Sequence, residues 1–224
     1  MQKEWTEDDL KEIARQLGKP EGELGLKTGQ MMNKSNGAMI RRAFELLEIK
    51  SFEKVLEIGP GNGEHVEELL QNTSETRYWG VDISETMIVE ANKINESLIN
   101  QGKVSFVSSD GKMLPFEDHC FDKIFTVNTI YFWQEPGSYA FEIYRILKPG
   151  GTFCLALADR SFMEKLPFTQ FGFQLYDKES AKKRMENTGF VIEKVVEELD
   201  ITVGNMGQQV EREIIIVVCK KPAL

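Results

Sequence analysis

Three glycines at alternate positions, Gly59, Gly61 and Gly63, follow the apolar run Val55 to Ile58 and open onto the helical stretch Glu64 to Leu70. A strand that enters a helix through such a turn brings bare backbone close to a ligand, and the helix start offers free N–H groups. Acidic residues flank the turn: Glu57 stands just before it, and Asp82 ends the next apolar run. Glu57 suits a ligand with a positive amino group. The Asp82 carboxylate can accept from two ribose hydroxyls; an Asp there can also cap the helix that starts near Ser84, but its spacing from the glycines favours the ribose. A dinucleotide site would place a third glycine where this chain has Glu64, and a carboxylate is a poor neighbour for a pyrophosphate. The pattern therefore favours an amino-acid nucleoside over a dinucleotide.

On the acceptor side, Tyr131, Phe132 and Trp133 follow Asn128 at the end of the run 122–128, the end at which open α/β sheets hold their ligands. Tyr131 carries a hydroxyl that can donate or accept, which makes it the candidate catalytic group, with Phe132 and Trp133 as candidate substrate contacts. Met31, Met32 and Asn33 precede a helix; Met32, flexible and apolar, is a further candidate substrate contact, and packing of the two methionines between the N-terminal cap and the sheet is the equal alternative. His65 and His119 are the only histidines. His65 in the first turn of the glycine helix can touch a cofactor or sit at the surface, and His119 falls in a turn expected to be exposed. Cys120, Cys154 and Cys219 are odd in number and far apart, so reduced thiols and no metal site are expected.

These residues need elements to position them. Thr6 and Asp9 resemble a helix start, with Leu10, Ile13, Ala14 and Leu17 on one face up to Gly18. Lys19 to Gly37 is rich in glycine and polar residues and reads as a loop; a second helix then carries Met39, Ile40, Ala43, Phe44 and Leu47. From residue 53 short apolar runs at 54–58, 77–82, 104–108, 122–128 and 152–158 alternate with helices near 63–71, 84–99 and 136–147, the signature of a doubly wound α/β sheet. The aromatic segment 162–176 reads as a lid or insertion. A helix near 178–188, a strand near 190–197 and the run Glu211 to Cys219 follow, the last two joined as a hairpin through Gly204 to Gly207. The expected division is an N-terminal helical cap and loop over 1–36 and a main domain over 37–224.

At 224 residues, 41% hydrophobic and 28% charged, the composition is that of an ordinary globular chain. A formal net charge of -9 works against nucleic acid as a partner, and the cluster Lys178, Lys182, Lys183 and Arg184 has the spacing of a solvated helix face. The N-terminus shows no signal-peptide core and the longest aliphatic run is too short for a membrane span, so the expected location is cytoplasmic.

Glu57 to Gly63 resembles motif I of the class I S-adenosylmethionine-dependent methyltransferases, close to the small-molecule branch that includes the ubiquinone and menaquinone C-methyltransferases. Gly80 to Ser84 with Met87, Ser109-Asp110-Gly111 with Leu114 to Phe116, and Leu147 to Gly151 resemble the family's later motifs, and together they cover about residues 37–158. The resemblance implies a seven-stranded, mostly parallel sheet of order 3-2-1-4-5-7-6 with the seventh strand antiparallel. It implies S-adenosylmethionine as cofactor, with Gly59, Gly61 and Gly63 along the methionine part, Glu57 at its amino group and Asp82 on the ribose. Ile83, Met87, Asp110 and Gly111 would surround the adenine, and Asn128 would close the site. The implied activity is methylation of a small, apolar or aromatic metabolite. A non-catalytic nucleoside-binding subunit or a nicotinamide oxidoreductase are the alternatives; the oligomeric state is open, a homodimer included.

Overall fold

The computed structural model describes residues 5–71, 73, 75–204 and 208–223. Helix α1 (Glu7–Gly18) begins as the sequence predicts: the Thr6 hydroxyl accepts from the Asp9 N–H at 3.2 Å, and the Asp9 carboxylate accepts from the Thr6 N–H at 3.0 Å. The next element departs from expectation. Residues 19–37 are not a loop, because α2 runs unbroken over Gly22–Leu46 and crosses the expected boundary at 36 and 37. The glycines that suggested a loop serve contact instead: a Cβ on Gly29 would lie 2.6 Å from the Met87 sulfur. Glycine lowers helix propensity by roughly 1 kcal/mol, a cost that close packing offsets.

The alternating pattern then holds: β1 (Lys54–Ile58), α3 (Val66–Leu70), β2 (Arg77–Asp82), α4 (Glu85–Ile94), α5 (Glu96–Asn100), β3 (Val104–Ser108), β4 (Phe121–Val127), α6 (Pro136–Ile146) and β5 (Leu147–Ala158). The expected helix over 84–99 is two pieces because Asn95 breaks it; its buried amide donates to Gly63 O at 2.9 Å and to Ala91 O at 3.0 Å, tying the break to the glycine turn. Strand β5 starts earlier than predicted. Its Lys148 to Gly151 stretch is carried as an irregularity in the pairing with β4 between Phe121 and Lys123. After α7 (Arg160–Met163) the aromatic segment packs on α1, and α8 (Lys178–Glu186), β6 (Val191–Val203) and β7 (Gln209–Lys220) complete the chain. Residues 205–207 of the expected hairpin connection lie outside the described residues.

The sheet order is β3-β2-β1-β4-β5-β7-β6, with β1 to β5 parallel and β7 antiparallel to both neighbours, as the resemblance implied. Strands buried on both faces need apolar residues at every position. Val55 packs with α2 and α3 on one face, while Leu56 packs with α6 and α8 on the other, both fully buried. Each such side chain contributes about 1.5–3 kcal/mol. The register has one consequence for the site: β5 stops at Ala158, opposite Ile214, while β6 and β7 continue pairing to Val203 and Gln209. The hairpin therefore overhangs the carboxyl end of the sheet.

Candidate functional site

A cavity of about 410 Å³ opens over the carboxyl ends of β1, β2, β4 and β5, at the switch point where the strand order reverses. That volume lies within the ordinary range for small-molecule sites, about 300–1,000 Å³. Its floor holds Glu57, Gly59, Gly61, Asp82, Ile83, Gly111 and Asn128 of the predicted cofactor residues, and Met32, Tyr131, Phe132 and Trp133 of the predicted substrate residues. Leu10, Ile13 and Leu17 of α1, the first half of α2, and Phe162 to Phe173 roof it.

Three predicted cofactor residues do not line it. Gly63 supports the turn from behind, where a Cβ would meet Phe106, Asn95 and Ala91. Met87 is fully buried against α2. Asp110 is exposed, and its carboxylate accepts from the N–H groups of Lys112 at 2.8 Å and Met113 at 3.0 Å; those bonds hold its pKa below the usual value. It shapes a turn, while its neighbours Ser109 and Gly111 reach the cavity.

Glu57 is buried, and its Oε2 accepts from Tyr78 OH at 2.5 Å and faces His65 Nε2 at 2.8 Å. Among the described residues no bond falls on Oε1. His65, expected at the surface or on a cofactor, is buried behind Glu57, with Nδ1 3.1 Å from Asn33 Oδ1. The histidine thus links the β1 carboxylate to α2. Asp82 accepts from Gly61 N–H at 3.1 Å and Ser84 N–H at 2.9 Å, so it braces the glycine turn and the start of α4 together; the α4 cap is Ser84 itself. Burial raises the Asp82 pKa from its ordinary 3.8 to about 6, and the backbone N–H groups offset only part of that rise.

Tyr131, the candidate catalytic group, has the contacts of a brace. Its hydroxyl accepts from Ala158 N–H at 2.7 Å and faces Ala158 O at 2.9 Å and Asn128 Oδ1 at 3.0 Å, so it latches the end of β5 to the end of β4. Burial pushes its pKa up. Tyr131→Phe is expected to cost about 1 kcal/mol, a fall in Tm of about 2–4 °C. Turnover, read as S-adenosylhomocysteine release, should change by less than about fivefold, whereas losing a proton-transfer group costs about 10²–10⁴.

Sequence reasoning missed Asn36, Arg212 and the α1 leucines and isoleucine as cavity residues. Asn36 bonds Asn128 at 3.0 Å and Arg212 at 3.2 Å, contacts between elements far apart in sequence for which no local spacing exists.

The donor set fits an adenosyl amino acid. Two carboxylates line the cavity, as suits a ligand with an ammonium and ribose hydroxyls, and a Cβ on Gly61 would meet nothing within 4 Å, which leaves its main chain accessible.

Residues 56–155 match a family described as a methyltransferase domain. The chain is 25% identical over 132 residues to the uncharacterized methyltransferase YdaC of Bacillus subtilis, covering 59% of this chain and 71% of that protein. It is 30% identical over 121 residues to the methyltransferase GfsG of Streptomyces halstedii, covering 54% of this chain and 42% of the relative. Its fold is similar to a SAM dependent methyltransferase from Aquifex aeolicus, with a TM-score of 0.63 at 19% identity over 93% of this chain and 97% of that one. No helix among the described residues is long and apolar enough to cross a membrane.

Proposed function

We propose that this chain is a class I S-adenosylmethionine-dependent methyltransferase, a reading supported by the methyltransferase-domain match and by the similar fold, and that it methylates a small, largely apolar acceptor held between α1 and the 162–173 segment. The observation that carries this reading is the mixed lining of one cavity: carboxylates and bare backbone at the ends of β1 and β2, together with the apolar Leu10, Ile13, Leu17, Phe132, Phe162 and Phe168. Bound S-adenosylmethionine supplies an activated methyl group, so the chain's task is orientation and dryness. Glu57 receives the amino group on its free oxygen, the backbone of Gly59 and Gly61 lies along the methionine part, and Asp82 accepts from the ribose. Ile83 and Gly111 flank the adenine. Asn128 closes the site from the end of β4, and Met32, Phe132 and Trp133 contact the acceptor. Aligning two reactants in such a pocket contributes on the order of 7–11 kcal/mol. The N-terminal part up to residue 36 acts as the cap that excludes water.

Turnover with a panel of apolar and aromatic acceptors, followed as S-adenosylhomocysteine release, tests the reading. Release above the no-acceptor control supports it; tight cofactor binding with no release from any acceptor would identify a binding subunit instead.

The same assignment predicts a pH dependence. The folded protein favours protonated Asp82, so in the cofactor-free protein its ionisation between about pH 4 and 6 lowers stability. Ribose hydroxyls need the ionised form as acceptor. Cofactor affinity, measured calorimetrically, should therefore be flat above pH 7 and fall roughly tenfold per unit below about 6. Asp82→Asn should bind weakly at every pH, with that slope gone.

A further inference from the structure

Among the described residues that line the cavity, the carboxylates are Glu57 and Asp82, and the cation is Arg212. They stand at opposite ends. Arg212 lies on β7, three strand spacings from β1 in the order β1-β4-β5-β7, or about 14 Å at about 4.8 Å each. It sits on the hairpin overhang, two residues beyond the last β5 partner, Ile214. Burial there is nearly complete, with 7% of the residue exposed.

The guanidinium is held rigidly. Its Nε donates to Asp200 Oδ2 at 2.8 Å, Nη1 to Asn36 Oδ1 at 3.2 Å and Nη2 to Ser35 O at 2.8 Å. Those bonds use three of the five N–H groups an arginine carries and leave one on each terminal nitrogen. Asn36 Oδ1 also accepts from Asn128 Nδ2 at 3.0 Å, so a single amide separates the guanidinium from the end of β4. A buried ion pair is poor as a stability device, because well-packed apolar residues of the same volume do as well or better. In the wall of a ligand-sized cavity it has a clearer use.

We propose that the acceptor carries a carboxylate as well as an apolar body, and that Arg212 holds that carboxylate through its remaining N–H groups. This deepens the functional reading above and rests on it. Arginine matches a carboxylate in planarity and donor spacing, and Asp200 balances its charge while the chamber is empty. Acids at one end and a cation at the other sort the two ligands: the cationic donor is drawn to Glu57 and Asp82, and the anionic acceptor is repelled from them and drawn to Arg212.

The test titrates 4-phenylbutanoate, 4-phenylbutanamide and 4-phenylbutanol into protein saturated with S-adenosylhomocysteine. The acid should bind the wild type at least about tenfold more tightly than the amide or alcohol. Arg212→Met combined with Asp200→Leu removes both charges without stranding either; it should erase the preference while S-adenosylhomocysteine affinity stays within about threefold. Arg212→Lys, which keeps the charge and loses the fork, should retain part of the preference. Equal binding of acid and amide by the wild type, no binding of the acid, or a preference that survives in the double variant would overturn the proposal. Failure of S-adenosylhomocysteine itself to bind would instead remove the cofactor reading beneath it.

Discussion

Gly59→Val is expected to be the most damaging single change at the site, lowering stability by about 4 kcal/mol and Tm by roughly 8–16 °C. Gly59 sits at φ +76° directly after β1, a region closed to β-branched residues, and a Cβ there would come within 2.4 Å of Thr129 Cγ2. Thr129 cannot simply move aside. Its hydroxyl lies 2.5 Å from Thr126 Oγ1, which bonds Ile58 O at 2.7 Å, and it also accepts from Trp133 Nε1 at 3.2 Å. Thermal denaturation reads the loss. Gly61→Ala makes the contrast: φ is +58°, but nothing lies within 4 Å of a Cβ, so only the conformational cost of about 1–2 kcal/mol applies. That variant should fold and yet bind the proposed cofactor far more weakly, because its methyl group would project into open space beside the glycine turn.

Glu57→Gln is expected to weaken cofactor binding by about a hundredfold, near 3 kcal/mol, while costing far less in stability. The amide keeps the volume and still offers an oxygen to Tyr78 OH, which donates to Oε2 in the wild type. What it loses is the charge that faces the ligand's ammonium in a buried setting. Glu57→Ala should add a stability loss of about 2–3 kcal/mol, since Tyr78 and His65 would each lose a buried partner. Calorimetric titration and thermal melts on the two variants separate the electrostatic from the structural part. Equal cofactor affinity in wild type and Glu57→Gln would show that the carboxylate only braces Tyr78 and His65.

The parallel strands and the glycine turn were legible because both are local patterns: a short apolar run, a break, a helical spacing. The antiparallel hairpin was legible in kind but not in length, since β6 reaches Val203 where the expected strand ends at 197. Its outer half alternates exposed Leu199 and Ile201 with buried Asp200, and an inward-facing charge disguises the pattern. Helix α2 was misread because a glycine has two uses, turn and close contact: Gly25 packs on Pro20 and Gly29 on Met87 of α4, and only the folded position of those neighbours decides between the two. Strand order came from the family resemblance, not from periodicity.

At the site, residues attached to strand ends line the cavity, as Glu57, Gly61, Asp82 and Asn128 do. Met87 and Asp110 do not, although Asp110 stands between two residues that do, Ser109 and Gly111. A motif fixes the backbone path to within a residue, but which side chain turns inward depends on packing against distant elements. Arg212 is the extreme case. Nothing around it in sequence marks it, and its partners Asp200, Ser35 and Asn36 come together only through the overhang of β6 and β7 over α2.

The central claim is that the main chain at Gly59 to Gly61, with Glu57 and Asp82 beside it, seats an adenosyl amino acid. Calorimetric titration of S-adenosylmethionine into the wild type, Gly61→Ala and Asp82→Asn at pH 7.5 tests this most directly. Saturable binding to the wild type, weakened at least about thirtyfold in each variant while both still melt cooperatively, is the predicted result. Absence of binding to the wild type at millimolar ligand, or equal affinity in all three proteins, would contradict it.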